Sequence, residues 1–256
     1  MQKVSVLIIV LSILCLNSPA QLSKLANKIT NKVIPLSNAE ITDGLKEALK
    51  IGTDSATARL SAVDGYLKDA TVKISLPPEA KPIVDNIALI PGGSDLLAEI
   101  VVRINRVAEN AAKDAAPIFT HAIQEMDLVN AMQILKGSEN AATMYFEQKT
   151  SQQLSDLYRP KIQESLSKNL VAGISTQQSW SDITKTWNQI ADTPIGKMTG
   201  MKSVVINLED YILQQALKGL FLKIAAREKS IRMDANARGS DLLKRVFNSQ
   251  NSKLLN

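Results

Sequence analysis

SNAEITDGLKEALKIGTDSATARLSAVDGYLKDATVKISLPPE, residues Ser37–Glu79, is the stretch that most clearly indicates how the chain folds. Ser37 and Glu40 have the spacing of a capping box, in which each side chain satisfies a backbone N–H at the start of a helix. From Asn38 to Val63 the apolar residues recur on one face roughly 120° wide, with acids and lysines opposite. This pattern predicts a long amphipathic helix.

The same stretch ends in a turn and a short extended segment. Asp64-Gly65 is a turn pair, and beyond it apolar and polar residues alternate over residues 71–76 until Pro77-Pro78. A lone strand needs a partner, and the other β-branched run outside the helical patterns is KSVVI, residues 202–206. We therefore expect these two segments to pair as a two-stranded β ribbon.

The remaining patterns are helical. Leu208–Ile231 is apolar nearly all round in its first half, which is typical of a helix buried in the middle of a bundle. Trp180 and Trp187 fall on one helical face and are interpreted as core residues. Gly52 lies inside the apolar stripe of the first helix, so we expect another helix to approach it closely. The predicted fold class is all-α, a single multi-helix bundle with at most that one ribbon.

The N-terminus has the features of a secretory signal. Lys3 precedes the uncharged apolar run Val4–Leu16, and Ser18-Pro19-Ala20 supplies the small residues of a cleavage site. We expect a signal peptide over residues 1–20, a basic linker or first helix over 21–36, a helical domain over 37–247 and a frayed tail over 248–256. The expected location is the periplasm or cell envelope.

Residues 21–36 carry Lys24, Lys28 and Lys32 at every fourth position. One interpretation is peripheral contact with an anionic membrane surface. The other is a solvated helix face or a tether, because three lysines make a small basic cluster. Removing the leader lowers the net charge by one from +5, and both signs are interspersed, so nucleic acid is not expected as a partner.

Residues for common chemistry are scarce. His121 is the single histidine and Cys15 the single cysteine, and Cys15 lies in the predicted leader. A mature chain without cysteine excludes a His/Cys metal site and a cysteine nucleophile. The sequence contains no G-x-S-x-G elbow, Walker loop or G-x-G-x-x-G motif. We therefore expect no metal and no cofactor.

The corner where the first helix ends is the first place to look for a site. Its charged and aromatic residues, together with one arginine near the C-terminus, are the binding candidates: Arg59, Asp64, Tyr66, Asp69 and Arg238. Turn formation and capping are the favoured interpretation of the corner. A second cluster, Arg227, Glu228, Arg232, Arg238 and Asp241, is interpreted either as an ion-pair network that holds the C-terminal helix or as an anion site where Ser240 starts that helix.

Several long motifs resemble a known family. LSNAEITDGLKEALKIGTDSATARLSAVDGYLKD is similar to the opening of domain-of-unknown-function family 4197, a bacterial exported family, and the resemblance continues through APIFTHAI, DLVNAMQIL, NAATMYF, YRPKIQESL, ALKGLFLKIAAREKSIR and ARGSDLLKRVF. It covers Ser37 to Phe247, and departs at Ser75 and at Met233-Asp234-Ala235. The resemblance implies a single exported helical domain with no assigned activity, substrate or catalytic residue.

Three functional hypotheses follow. The first is a non-enzymatic binding or structural protein of the bacterial cell envelope, with a protein partner or an apolar ligand pocket around Leu208–Ile224. The second is an enzyme that uses carboxylates and arginines near residues 59–69, which requires Arg59, Asp64 and Arg238 to converge in one cleft. The third is a membrane-surface protein held by Lys24, Lys28 and Lys32.

Overall fold

The computed structural model describes residues 36–168 and 173–254, with side chains as far as residue 248. This part of the chain is built from α-helices joined by turns and by three short 3-10 helices. The α-helices are α1 (Asn38–Ser61), α2 (Lys81–Asp85), α3 (Gly93–Ala112), α4 (Ala116–Gln124), α5 (Leu128–Lys136), α6 (Ala141–Ser167), α7 (Thr176–Ala191), α8 (Pro194–Met198), α9 (Leu208–Met233) and α10 (Asp241–Leu254). The 3-10 helices are Pro78–Ala80, Ile87–Leu89 and Ala235–Ala237. The predicted all-α class is confirmed.

Helix α9 is the central helix. It packs against α6, α1 and α3, and its buried positions extend along its length from Leu208 to Ile231. Ile212, Ala216 and Leu220 are each 0% exposed. The prediction that this segment lies in the middle of the bundle is confirmed, although Leu222 remains 46% exposed.

Helix α1 buries the predicted stripe, including Leu45, Ala48 and Leu60. Val63 is 80% exposed, because the helix ends at Ser61 and Val63 lies in the turn that follows. The prediction that another helix closely approaches Gly52 is wrong, since a Cβ there would meet only Arg227 Cγ, at 3.8 Å. The close approach in α1 is at Gly44, where a Cβ would lie 2.8 Å from Val246 Cγ2 of α10.

The aromatic residues join the helices of the core. Phe119 of α4 makes edge-to-face contacts with Phe146 of α6, at 5.3 Å between ring centroids, and with Phe221 of α9, at 6.2 Å. Trp180 and Trp187 of α7 are buried, which confirms their interpretation as core residues.

The predicted β ribbon is wrong. No β-strand occurs in the parts of the chain that the structure describes, and residues 71–76 (the first strap) and 202–206 (the second strap) lie against different helices. Asn105 of α3 binds the first strap, because its carboxamide accepts from Ile74 N–H at 2.9 Å and donates to Ile74 C=O at 2.8 Å. Asn188 of α7 makes the same pair of bonds to Val204 of the second strap, at 2.7 and 3.0 Å.

These two asparagines replace the missing strand. One carboxamide can bond both the N–H and the C=O of one residue where the backbone is extended, because the two groups then point in the same direction. The alternation expected for an extended segment is present in the first strap, where Val72 and Ile74 are buried between exposed neighbours. In each strap, an asparagine side chain therefore bonds the backbone N–H and C=O that a neighbouring strand would bond in a sheet.

The described residues from Asn38 onward form one compact unit. Helix α10 continues past Phe247, its expected end, to Leu254, and it packs on α1. The predicted leader and the lysines of the basic segment lie outside the described residues. Among the described helices, none has both the length and the apolar character needed to cross a membrane.

Candidate functional site

The corner after α1 begins with a tight turn. Asp64 has a positive φ of 69°, and a Cβ on Gly65 would lie 2.7 Å from Leu60 C=O, so this turn requires glycine at residue 65. The Asp64 carboxylate pairs with Lys68 at 2.8 Å and with Arg106 of α3 at 2.7 Å. Hydrogen bonds from Lys68 and then from Arg106 lower the pKa of Asp64.

Asp69 joins the corner to the central helix. Its carboxylate pairs with Lys223 of α9 at 2.7 Å and with Arg59 at 3.0 Å. It also accepts from the Thr71 hydroxyl at 2.7 Å and from Thr71 N–H at 3.1 Å. These bonds, first the one from Lys223 and then those from Thr71, hold the pKa of Asp69 well below its usual range. Asp69 is therefore an ionised anchor.

Tyr66 lies in the core below the turn. It is 0% exposed, and its hydroxyl donates to Ala216 C=O of α9 at 2.8 Å. Its ring fills the space beside Gly219, where a Cβ would be 2.8 Å from Tyr66 Cε1. Burial raises the pKa of Tyr66 well above its usual value. This side chain is therefore a structural link between the corner and α9.

Glu109 closes the network and was missed by the sequence analysis. One of its oxygens accepts from Tyr66 N–H and Leu67 N–H, each at 3.2 Å, and the other pairs with Arg106 at 2.7 Å. Glu109 and Asn105 lie four residues apart at the edge of the apolar face of α3. That i, i+4 pair of polar residues was the signal available in the sequence.

The corner residues are thus brought together, although in closed pairs. Each carboxylate of the corner faces a cation or a backbone N–H. A general base or a metal ligand needs a free lone pair directed at a substrate or an ion. Across the described ranges, no three His, Cys, Asp or Glu side chains lie close enough to hold a metal ion. The geometry favours a structural role for the corner.

Arg238 lies at the far end of α9. Its guanidinium donates to Ile231 C=O at 2.9 Å, to Arg232 C=O at 2.8 Å and to Asn248 Oδ1 at 2.6 Å. Arg238 is 2% exposed, so it caps the end of α9 and fixes α10 from inside the protein. Tyr66 contacts α9 at Gly219, twelve residues before Ile231, which is roughly 18 Å along the helix axis. Arg238 is therefore remote from the corner.

Glu228 and Arg232 of the C-terminal cluster hold a different junction. Glu228 accepts from Ala142 N–H and Thr143 N–H at 2.9 Å each and from the Thr143 hydroxyl at 2.8 Å, at the start of α6. Arg232 pairs with Glu228 at 2.8 Å and donates to Ile134 C=O near the end of α5. The ion pair of Glu228 and Arg232 thus provides hydrogen-bond partners for backbone N–H groups at the start of α6 and for a backbone C=O at the end of α5.

A small cavity lies beside this ion pair. Its volume is about 20 Å³, and its lining includes Leu49 and Gly52 of α1, Phe146 of α6 and Ile224 of α9. That is space for about one water molecule. Small-molecule sites usually measure about 300–1,000 Å³, so this cavity is too small for a lipid-like ligand.

The surface around α7, α8 and the second strap has a different character. An open groove of about 860 Å³ lies between a polar stripe of α7 and Val204, Val205 and Ile206 of the second strap. Val205 is 89% exposed. A hydrogen bond from Met201 N–H to Gly196 C=O ties α8 to the chain just before the second strap. On α8, Ile195 is 73% exposed and Met198 is 88% exposed. We call the groove and these three apolar residues the strap face.

The fold and these sites define a helical-bundle protein whose buried polar side chains cap helices and fasten straps. The model of the family described as a protein of unknown function (DUF4197) matches residues 35–248, and the chain belongs to that family. The resemblance found in the sequence motifs is thereby confirmed. No curated protein matches the chain, and no solved structure does.

Proposed function

We propose that the chain is an exported protein that acts by binding another protein through the strap face, and that it is not an enzyme. The observation that carries the proposal is the exposure of Val205, which lines an open groove, together with that of Ile195 and Met198 on α8, the helix that follows the groove residue Thr193. Exposed apolar side chains of this kind are favoured where a partner covers them.

The state of the charged groups supports binding over catalysis. Arg59, Asp64 and Asp69 stand in closed ion pairs. The enzyme hypothesis needs Arg238 in the same cleft, and Arg238 caps α9 roughly 18 Å away by helical rise. The core cavity, at about 20 Å³, is too small for an apolar ligand, which argues against the pocket hypothesis.

Thiol accessibility in cells tests the proposal. Val205→Cys and Val63→Cys, each made together with Cys15→Ser, place one thiol on the strap face and one at a matched control site that is 80% exposed. At a protein concentration low enough to keep the chain monomeric, both purified variants should react equally fast with a membrane-impermeant maleimide. In intact cells that produce the protein, we expect Val205→Cys to react at least about tenfold more slowly than Val63→Cys, because the partner shields it.

Two results would count against the proposal. Equal rates in cells would mean that nothing covers the strap face. Failure of the impermeant reagent to reach Val63→Cys in intact cells would contradict export, which rests on the predicted leader.

A further inference from the structure

The second strap has one fastened edge and one free edge. Val204 N–H and C=O bond to Asn188, and Lys202 C=O accepts from Trp187 Nε1 at 3.0 Å, so this edge faces α7. In an extended backbone the neighbouring residues direct their N–H and C=O to the other side. Those residues are Ser203 and Val205, and their four main-chain groups have no partner among the residues that the structure describes.

The first strap shows how this fold binds such an edge from within. There Ile74 bonds to Asn105, and two of the four groups on the opposite edge are bonded: Lys73 N–H donates to Asp69 C=O at 2.8 Å, and Ser75 C=O accepts from the Tyr211 hydroxyl at 3.0 Å. The two straps are built alike on their inner edges. They differ in that the described chain bonds two main-chain groups on the outer edge of the first strap and none on that of the second.

We propose that the second strap pairs edge to edge with the same strap of a second copy of the chain, as an antiparallel two-stranded sheet with Val204 at the two-fold axis. This deepens the proposed function and rests on it, because it names the partner that binds at Val205 of the strap face. In this register Ser203 of each copy lies opposite Val205 of the other. Each such pair exchanges two N–H···O=C bonds, so all eight free groups of the two copies are satisfied by four hydrogen bonds.

Three features favour a second copy as the occupant. The free groups belong to residues placed symmetrically about Val204, as an interface between identical surfaces requires. Val204, Val205 and Ile206 are strand-forming residues, so each copy supplies a segment suited to pairing. Lys202 lies opposite Ile206 of the other copy, which keeps the two lysines apart.

The pairing is expected to be weak and reversible. A single two-residue edge with its flanking side chains covers less than the roughly 800 Å² per partner of a standard stable interface. We expect the full chain to sediment as a monomer at low concentration and to approach twice that mass as concentration rises. Val205→Pro removes one N–H that has no partner in the monomer and should weaken association at least about tenfold.

A register-specific disulfide gives the sharper test. Ser203→Cys and Val205→Cys are prepared as separate proteins in a Cys15→Ser background, then mixed and oxidised. Opposed residues of a hydrogen-bonded pair have Cα atoms about 5.5 Å apart, which suits a disulfide. We expect the mixture to give a covalent dimer at several times the yield of either protein alone, and of Val63→Cys as the collision control.

The outcomes separate this inference from the proposed function. A mixture that crosslinks no better than the controls, or a Val205→Cys protein that crosslinks equally well with itself, overturns the pairing. If the pairing fails while Val205→Cys stays shielded in cells, a different protein covers the strap face. If both fail, the proposed function fails as well.

Discussion

Replacing Asn105 by leucine should remove much of the stability of the protein. Asn105 is 0% exposed, and its side chain makes three hydrogen bonds, two with Ile74 and one with Val101 C=O. Leucine has a similar size and no polar atoms, so Ile74 N–H and C=O would be left buried without partners. Each such group costs about 1–3 kcal/mol, which gives a loss of about 2–6 kcal/mol in the free energy of unfolding. Domains of this kind have about 5–15 kcal/mol in total.

Asn188→Leu is the matched comparison. It removes the equivalent pair of bonds, to Val204, but Asn188 is only partly buried. Water can replace the lost bonds there, and we expect a loss of about 1 kcal/mol or less. Urea unfolding followed by circular dichroism at 222 nm measures both variants. A cost below about 1 kcal/mol for Asn105→Leu, or equal costs for the two variants, would refute the reasoning that a carboxamide replaces a strand.

Three further predictions use the same unfolding assay. Gly52→Ala should raise the free energy of unfolding by about 0.5–1 kcal/mol, because the new methyl group finds space and alanine favours the helix. Gly219→Ala should lower it by about 1–3 kcal/mol, because its Cβ would strike the buried Tyr66 ring. Equal effects of the two substitutions would contradict the packing. Asp69→Asn should cost about 1 kcal/mol near neutral pH. Because the folded state lowers the pKa of Asp69, this contribution is complete above pH ~4 and is lost as pH falls below it, so a pH-independent difference would contradict the ion pairs. Glu228→Gln should cost about 1–3 kcal/mol, because an amide N–H₂ would replace one acceptor facing the Thr143 and Ala142 N–H groups; an unchanged stability would show that the acceptor is dispensable.

Local periodicity in the sequence was enough to predict α1 and α9. The apolar stripe of α1 and the all-round apolar character of α9 each depend on residues within a few turns of one another, and both predictions are confirmed. Helix α6 continues through Pro160 to Ser167, although a proline inside a helix removes one backbone hydrogen-bond donor. A proline is a weak signal where the surrounding residues stay in helical period.

The partners of the straps and of the corner were not predictable in the same way. KSVVI at residues 202–206 favours an extended backbone, but propensity does not say whether a strand or a carboxamide binds it. Asn105 is 31 residues from Ile74. The ion pair of Asp69 with Lys223 joins residues still further apart in the sequence. Such contacts depend on the three-dimensional arrangement of the helices, and a single sequence does not record it.

The central position of α9 has a consequence for the order in which the chain folds. The helix that packs against α1, α3 and α6 is among the last to be synthesised, and Glu228, which caps the start of α6, follows Ala142 by 86 residues. Contacts between residues so distant in sequence form slowly, because a long loop must close first. A nascent chain that ends before residue 208 therefore has its N-terminal helices but not their core. We therefore expect folding of the core to be deferred until synthesis is nearly complete.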